Sequence, residues 1–263
     1  MSLSIRVLGS GTSAGVPTIG CECATCTSTD PRDTRLRPSI LIRHTQAGGE
    51  VRYILIDTTP DFRAQMLAAR IPRLDAIVYT HDHADHILGL DDVRPFNYRQ
   101  GVIPLYAAAN TLAAIQRVFS YAFDDRKHLQ YVPKLDAHAI GDEPFDAMGL
   151  RVEPIPVIHG KERIYGFRFE NAAYLTDNSE VPEESVAKLG GLDVLFLDAL
   201  RHKEHPTHST VAHAIETARR IGARRTFFTH MSHDLKHEET ERLLPEGMQL
   251  AYDGLEIEVN AGA

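Results

Sequence analysis

The chain has 263 residues, 43% of them hydrophobic and 24% charged, enough to bury a sizeable core in one large domain or at most two. A net charge of −8 with histidines neutral argues against a general nucleic-acid or acidic-membrane surface. No apolar run approaches a membrane span, and three cysteines, an odd number, favour a reducing compartment over a disulfide scaffold, so the expected location is cytoplasmic.

In chain order, "MSLSIRVLGS" reads as a first strand rather than a signal peptide, with Ser4–Leu8 at its centre. Runs rich in Ile, Val, Leu, Tyr and Phe predict further strands at Ser39–Arg43, Val51–Asp57, Ala76–Thr80, Leu150–Ile158 and Ile164–Phe169. The same pattern recurs at Ala172–Thr176, Val194–Leu197, Arg225–Thr229 and Leu255–Val259. Helices are expected at Pro60–Ala69, at Thr111–Ala122 after an Asn110 cap, and at Val181–Leu189. Another should run over Thr210–Ile221, between a Ser209 cap and a Gly222 stop. Residues 95–148, with scattered aromatics and prolines, look like an insertion within a single domain spanning 1–263. A strand-rich first half and a more alternating second half suggest sheets flanked by helices, an α/β (α+β) class rather than one parallel sheet.

The stretch "YTHDHADHILGL" places His81, His83, Asp85 and His86 where a strand ends and, from Ile87, a helix should begin. Imidazoles and carboxylates packed this closely without a cation would leave costly unpaired polar groups, and nitrogen and carboxylate ligands suit zinc, manganese or iron. Three more apolar runs lead into ligand-type residues: "VEPIPVI" into His159, "AAYLT" into Asp177 and "RTFFT" into His230. One such coincidence is unremarkable; three suggest a gathering along one sheet edge. Cys21, Cys23 and Cys26 of "GCECATC" are spaced so that three thiolates can face one ion, which for tetrahedral zinc leaves one ligand to find. The glycines at 9, 11, 15 and 20 precede no helix with Lys-Ser/Thr, so a P-loop is excluded and turn formation expected.

The T-H-x-H-x-D-H element, with its downstream His, Asp and His, resembles the metallo-β-lactamase superfamily, over nearly the whole chain from "VLGSGTSAGVP" through "ILIDTTPDF" to "FFTHMSHD". The resemblance implies a four-layer αββα sandwich with two divalent metals, zinc, manganese or iron, at one edge. It implies one metal on His81, His83 and His159, another on Asp85, His86 and His230, and Asp177 bridging. Asp57 would orient the ligand loop from behind. The pattern "GTSAGVPTIGCECATC" is similar to the phosphoribosyl cyclic phosphodiesterase branch, which implies a structural zinc on Cys21, Cys23, Cys26 and His233. In "HPTHSTVAHAI", His208 resembles the histidine before a helix that contacts phosphate or protonates the leaving group in related phosphodiesterases, which makes it the candidate general acid. Arg94, Lys161 and His202 could add substrate contacts.

Two divalent cations less two carboxylates and one hydroxide leave positive charge, which favours an anionic substrate, and two metals can assist in-line displacement at phosphorus. The expected function is hydrolysis of a small sugar or nucleotide phosphodiester, cyclic or open, by metal-activated hydroxide, with Asp85 and His208 catalytic. Alternatives are a tRNA 3′-processing endoribonuclease and a protein of the pyrroloquinoline quinone branch. A small-molecule partner, no membrane or nucleic acid, and a family-based homodimer complete the expectations.

Overall fold

Along Ser2–Gly9 (β1), Leu3, Ile5 and Val7 are buried while Ser4 and Arg6 are less so, the two-residue period of a strand with one face in a core. The computed structural model describes residues 2–124 and 131–260. After β1 come β2 (Ser39–Thr45), β3 (Val51–Ile56), α1 (Phe62–Ala69), β4 (Ala76–Val78), α2 (Ala84–Ile87) and α3 (Arg94–Gln100). The middle supplies β5 (Ile103–Ala108), α4 (Ala109–Val118), β6 (Leu135–Ile140), β7 (Phe145–Ala147), β8 (Leu150–His159), β9 (Glu162–Phe169) and β10 (Ala172–Leu175). The last part holds α5 (Glu183–Ala187), β11 (Val194–Asp198), α6 (Val211–Ile221), β12 (Arg225–Thr229), α7 (His237–Glu241), β13 (Met248–Leu250) and β14 (Glu256–Val259).

Among the described residues these strands form two seven-stranded sheets, ordered β14-β1-β2-β3-β4-β5-β6 and β13-β12-β11-β10-β9-β8-β7. Each is mixed: β3 to β6 and β10 to β13 run parallel, and the remaining pairs antiparallel. Ile5, Ile42, Ile54 and Val78 of the first sheet meet Phe167, Phe169, Tyr174 and Phe196 of the second in the central core. The outer face of the first sheet packs Leu55, Ile77 and Leu105 against Phe62 and Met66 of α1 and Leu112 and Ile115 of α4. The outer face of the second packs Leu195 and Leu197 against Val211, Ala214, Ala218 and Ile221 of α6, whose spacing is that of one helical face. The result is the expected αββα sandwich.

Several local expectations are corrected. The strands β5, β6, β7 and β13 were not anticipated; "IPLYAA" hides behind a proline and alanines, and "LDAHAI" is only partly buried. Residues 95–148 contain α3, β5, α4, β6 and β7, so they provide one end of the first sheet and an edge of the second; residues 125–130 of this segment lie outside the described residues. The helix expected from Ile87 ends there, having begun at Ala84. Thr210, not Ser209, caps α6, accepting from the His213 backbone N–H. No helix among the described residues is long and apolar enough to cross a membrane.

The topology aligns strand ends. β3 and β4 are parallel, and β8, β10, β11 and β12 share one direction in the facing sheet. Their C-terminal ends deliver Asp57, the 80–86 turn, His159, Asp177, Asp198 and His230 to one edge of the sandwich.

Candidate metal centre

Two neighbouring groups of side chains meet at that edge. His81, His83 and His159 offer nitrogens within 4.8 Å of one another, and Asp85, His86, Asp177 and His230 form a second set by the same measure. Asp177 spans its group, one oxygen 3.1 Å from His230 Nε2 and the other 3.2 Å from His86 Nε2, and it also groups with His159 and His208. All seven ligand candidates are thus brought together, four from the turn after β4 and three from strand ends of the second sheet. His83 is the exposed member; the other six are buried.

The surroundings fix which ring nitrogen faces inward. Asp57 accepts from the Thr80 backbone N–H at 2.9 Å and from its hydroxyl at 2.8 Å, and holds His86 Nδ1 at 2.8 Å. With its hydrogen committed to Asp57, the Thr80 oxygen accepts from His81 Nδ1 at 3.0 Å. His159 Nδ1 donates to the Thr207 carbonyl at 2.9 Å. Each of these rings therefore turns Nε2 toward the cluster, the arrangement by which proteins orient metal-ligating histidines. His81 buries its Nε2 without a hydrogen-bond partner, a cost that a cation would remove, while His86 and His230 turn theirs to the Asp177 carboxylate. The donor set fits divalent metal.

Backbone and charge tell the same story. Asp57, Asp177 and His230 adopt left-handed φ values of 66°, 56° and 60°, a strain of about 1–3 kcal/mol apiece for ordinary residues that tends to collect at functional sites. Burial opposes charge on His230, yet the Asp177 carboxylate beside it lifts the ring to about 10; His86 is likewise raised well above the ordinary range against burial, by Asp177, Asp85 and Asp57. Burial also opposes ionising Asp177, but His230 and His86 hold its carboxyl well below the usual range. Burial, with His86 close by, pushes His81 well down.

Beside the cluster His208 stacks on His230 with ring centroids 4.6 Å apart, and its Nδ1 lies 2.8 Å from Asp198. Asp198 is fully buried and also accepts from the Asn178 backbone N–H at 3.1 Å. Asp198 was missed in the sequence, although "DVLFLD" carries the same signal, an apolar strand delivering a polar residue, that singled out His159, Asp177 and His230. His205, whose ring lies 5.0 Å from His208, was also missed. Arg94 is engaged by Asp91 and the Tyr131 carbonyl, and Lys161 and His202 are exposed.

The cysteines form a second centre. His233 Nδ1 lies 3.2, 3.5 and 3.4 Å from the sulfurs of Cys21, Cys23 and Cys26. Ligand bonds of about 2.3 Å to sulfur and about 2.0 Å to nitrogen at tetrahedral angles separate ligand atoms by roughly 3.5 Å, so the four fit one zinc. The backbone N–H of Cys26 holds the Cys23 thiol down to about 6. Behind it the buried Arg35 donates to the carbonyls of Ser232 (2.9 Å) and Leu235 (2.5 Å), and Met231 exchanges backbone bonds with Ser10 and Thr12. This lashes the cysteine loop to the segment that begins with His230.

The beta-lactamase superfamily domain profile matches residues 52–231. A crystal structure of a diphosphatase from the PhnP family is 51% identical and superposes with a TM-score of 0.91, covering 100% of this chain and 99% of that one. The Zn2+-bound PqqB of Methylobacterium extorquens, 22% identical with a TM-score of 0.77 over 97% of this chain and 99% of its own, shares the fold. An octanoyltransferase of Porphyromonas gingivalis is 40% identical over 95% of this chain but 50% of its own length, so the chain spans half of that relative.

Proposed function

Because the chain belongs to the beta-lactamase superfamily, as one of its metal-dependent hydrolases, we propose that it is a dinuclear phosphodiesterase acting on a small sugar or nucleotide diester. The observation that carries this reading is the Asp198–His208 pair standing against the ligand cluster. Hydrolysis of an unactivated diester needs a proton delivered to a departing alkoxide, and His208 is placed to deliver one. Its Nδ1 is fixed on a buried carboxylate, which leaves Nε2 for the leaving oxygen. Two divalent ions on His81, His83, His159 and on Asp85, His86, His230, with Asp177 between them, would activate water and neutralise phosphoryl oxygens. Asp57 and Thr80 keep the ligand imidazoles aimed, and Cys21, Cys23, Cys26 and His233 would hold a structural zinc.

Hydrolysis of a diphosphate is a second reading, favoured by the 51% identity to the PhnP-family diphosphatase, since attack at phosphorus makes the same demands on the cluster. Acyl transfer belongs to the name of a protein twice as long and is not carried over.

The test is hydrolysis of bis-p-nitrophenyl phosphate beside p-nitrophenyl phosphate by the metal-loaded chain and by Asp85→Ala. Diester turnover should exceed monoester turnover. Asp85→Ala should lose at least about 100-fold, beyond the 10–100-fold typical of groups that only support a ligand. A fully metallated protein that leaves the diester intact would sink the reading.

A further inference from the structure

A cavity of about 260 Å³ adjoins the ligand cluster through His208 and is lined by Ser179, Glu204, His205, His208, Thr210 and His213. His208 stands between the two spaces, its ring 4.8 Å from His159 on one side and 5.0 Å from His205 on the other. A group that receives a proton from His208 as it departs therefore extends toward this cavity. Its volume lies below the ~300–1,000 Å³ of drug-sized pockets, which suits a small fragment.

The hydrogen-bond pattern of the lining states what that fragment must be. The Thr207 backbone N–H points at His205 Nδ1 (3.4 Å), so that nitrogen accepts and Nε2 carries the ring hydrogen outward. Ser209 spends its hydroxyl hydrogen on the Asn178 carbonyl (2.9 Å), so its oxygen can only accept from His213 Nδ1 at 3.5 Å. His213 Nδ1 is thereby the donor to Ser209, and its Nε2 has no partner among the described residues. Glu204 is exposed at the rim, and among the described residues its carboxylate has no hydrogen-bond or ion-pair partner. Neither Lys nor Arg, and no Phe or Tyr, is among the lining residues. A carboxylate and an unpartnered imidazole nitrogen beside an N–H donor match hydroxyl groups, which donate and accept. They do not match phosphate oxygens, which at neutral pH chiefly accept and which Glu204 repels.

We infer that this cavity selects an uncharged, hydroxyl-bearing departing group, and that Glu204 and His213 are the residues that set the selection. The inference rests on the phosphodiesterase reading and narrows its substrate class on the leaving side.

Three substrates test it on the metal-loaded full chain: bis(glyceryl) phosphate, diethyl phosphate, and dimethyl diphosphate, whose departing half is an anion. The wild type should favour the glyceryl diester over the ethyl diester by at least about 10-fold in kcat/KM, and over the diphosphate by more. Glu204→Ala and His213→Ala should each bring the glyceryl-to-ethyl ratio down to within about 3-fold, and Glu204→Lys should shift preference toward the diphosphate. Ratios within one variant are insensitive to partial misfolding. Equal use of the two diesters by the wild type, a ratio that survives both alanine variants, or a preference for the diphosphate would overturn the inference while leaving the phosphodiesterase reading standing. If bis-p-nitrophenyl phosphate is also untouched, that broader reading fails. The cavity is then decided by NMR of the His205 and His213 ring C–H signals during titration with erythritol. Saturable shifts that vanish in Glu204→Ala support it, and unchanged signals refute it.

Discussion

Single side chains at the candidate metal edge act through partners one step removed. Asp198→Asn keeps the shape of the group holding His208 but replaces the carboxylate that accepts from Nδ1 with an amide that need not, so the ring's tautomer is no longer fixed. It should cut kcat on an alkyl diester by about 100-fold or more. On bis-p-nitrophenyl phosphate, whose leaving group departs without a proton, the loss should stay under about 10-fold. Leaving-group dependence with metal content measured in parallel separates this from simple loss of metal, since Asp198 also lies 3.8 Å from His230. His237 gives a prediction about stability. Burial, aided by the charges of Arg32 and Arg35, pushes its ring down to about 4. Between the ordinary histidine value near 6.5 and that value, the unfolded chain binds a proton that the folded one refuses. Stability is therefore fully present above about pH 6.5 and falls as pH drops toward 4. His237→Gln should flatten that part of the Tm-versus-pH curve, and a slope unchanged by the substitution would contradict the assignment. At this scale the ligand candidates were legible in the sequence because clustered His and Asp have few uses in an apolar setting. Asp198 and His205 were not, because each takes its meaning from a neighbour, His208, that only the fold supplies.

At the scale of elements, the turn after β4 owes its position to close backbone approach. A Cβ on Gly89 would lie 2.0 Å from the Thr59 carbonyl oxygen and 2.6 Å from the Phe62 Cβ, in a segment whose N–H donates to Thr58. Gly89→Ala must push α2 away from the loop after β3, dragging His86 from Asp57. We expect a loss of about 1–3 kcal/mol by denaturant titration, together with weaker metal binding by calorimetry. An alanine variant of undiminished stability would show that the turn has slack. The strands with strong Ile, Val and Phe runs were readable from the chain alone. β6 was not: as an edge strand in parallel pairing with β5 alone, it needs little apolar character of its own. The α6 cap went to Thr210 because the Ser209 hydroxyl is drawn to Asn178, a choice made by a strand end far back in sequence.

For the molecule as a whole, the αββα architecture followed from the resemblance. What the sequence did not show was how the sandwich closes. β14 returns from the second half of the chain to pair with β1, Leu3 facing Val259 and Ile5 facing Ile257. A chain ended before Glu256 should leave the backbone edge of β1 unpaired, and we expect it to be largely insoluble or aggregated by size-exclusion chromatography. A monodisperse truncated chain would show that β14 is dispensable. The same pairing bears on biogenesis. At about 5–20 residues per second, a ribosome needs roughly a quarter of a minute to a minute to add the stretch between these two strands. For all of that time the first sheet has a bare flank, and its completion is the most non-local step in folding. The edge of β1 thus stays open to wrong partners through most of translation, and the order of the strands sets how long that exposure lasts.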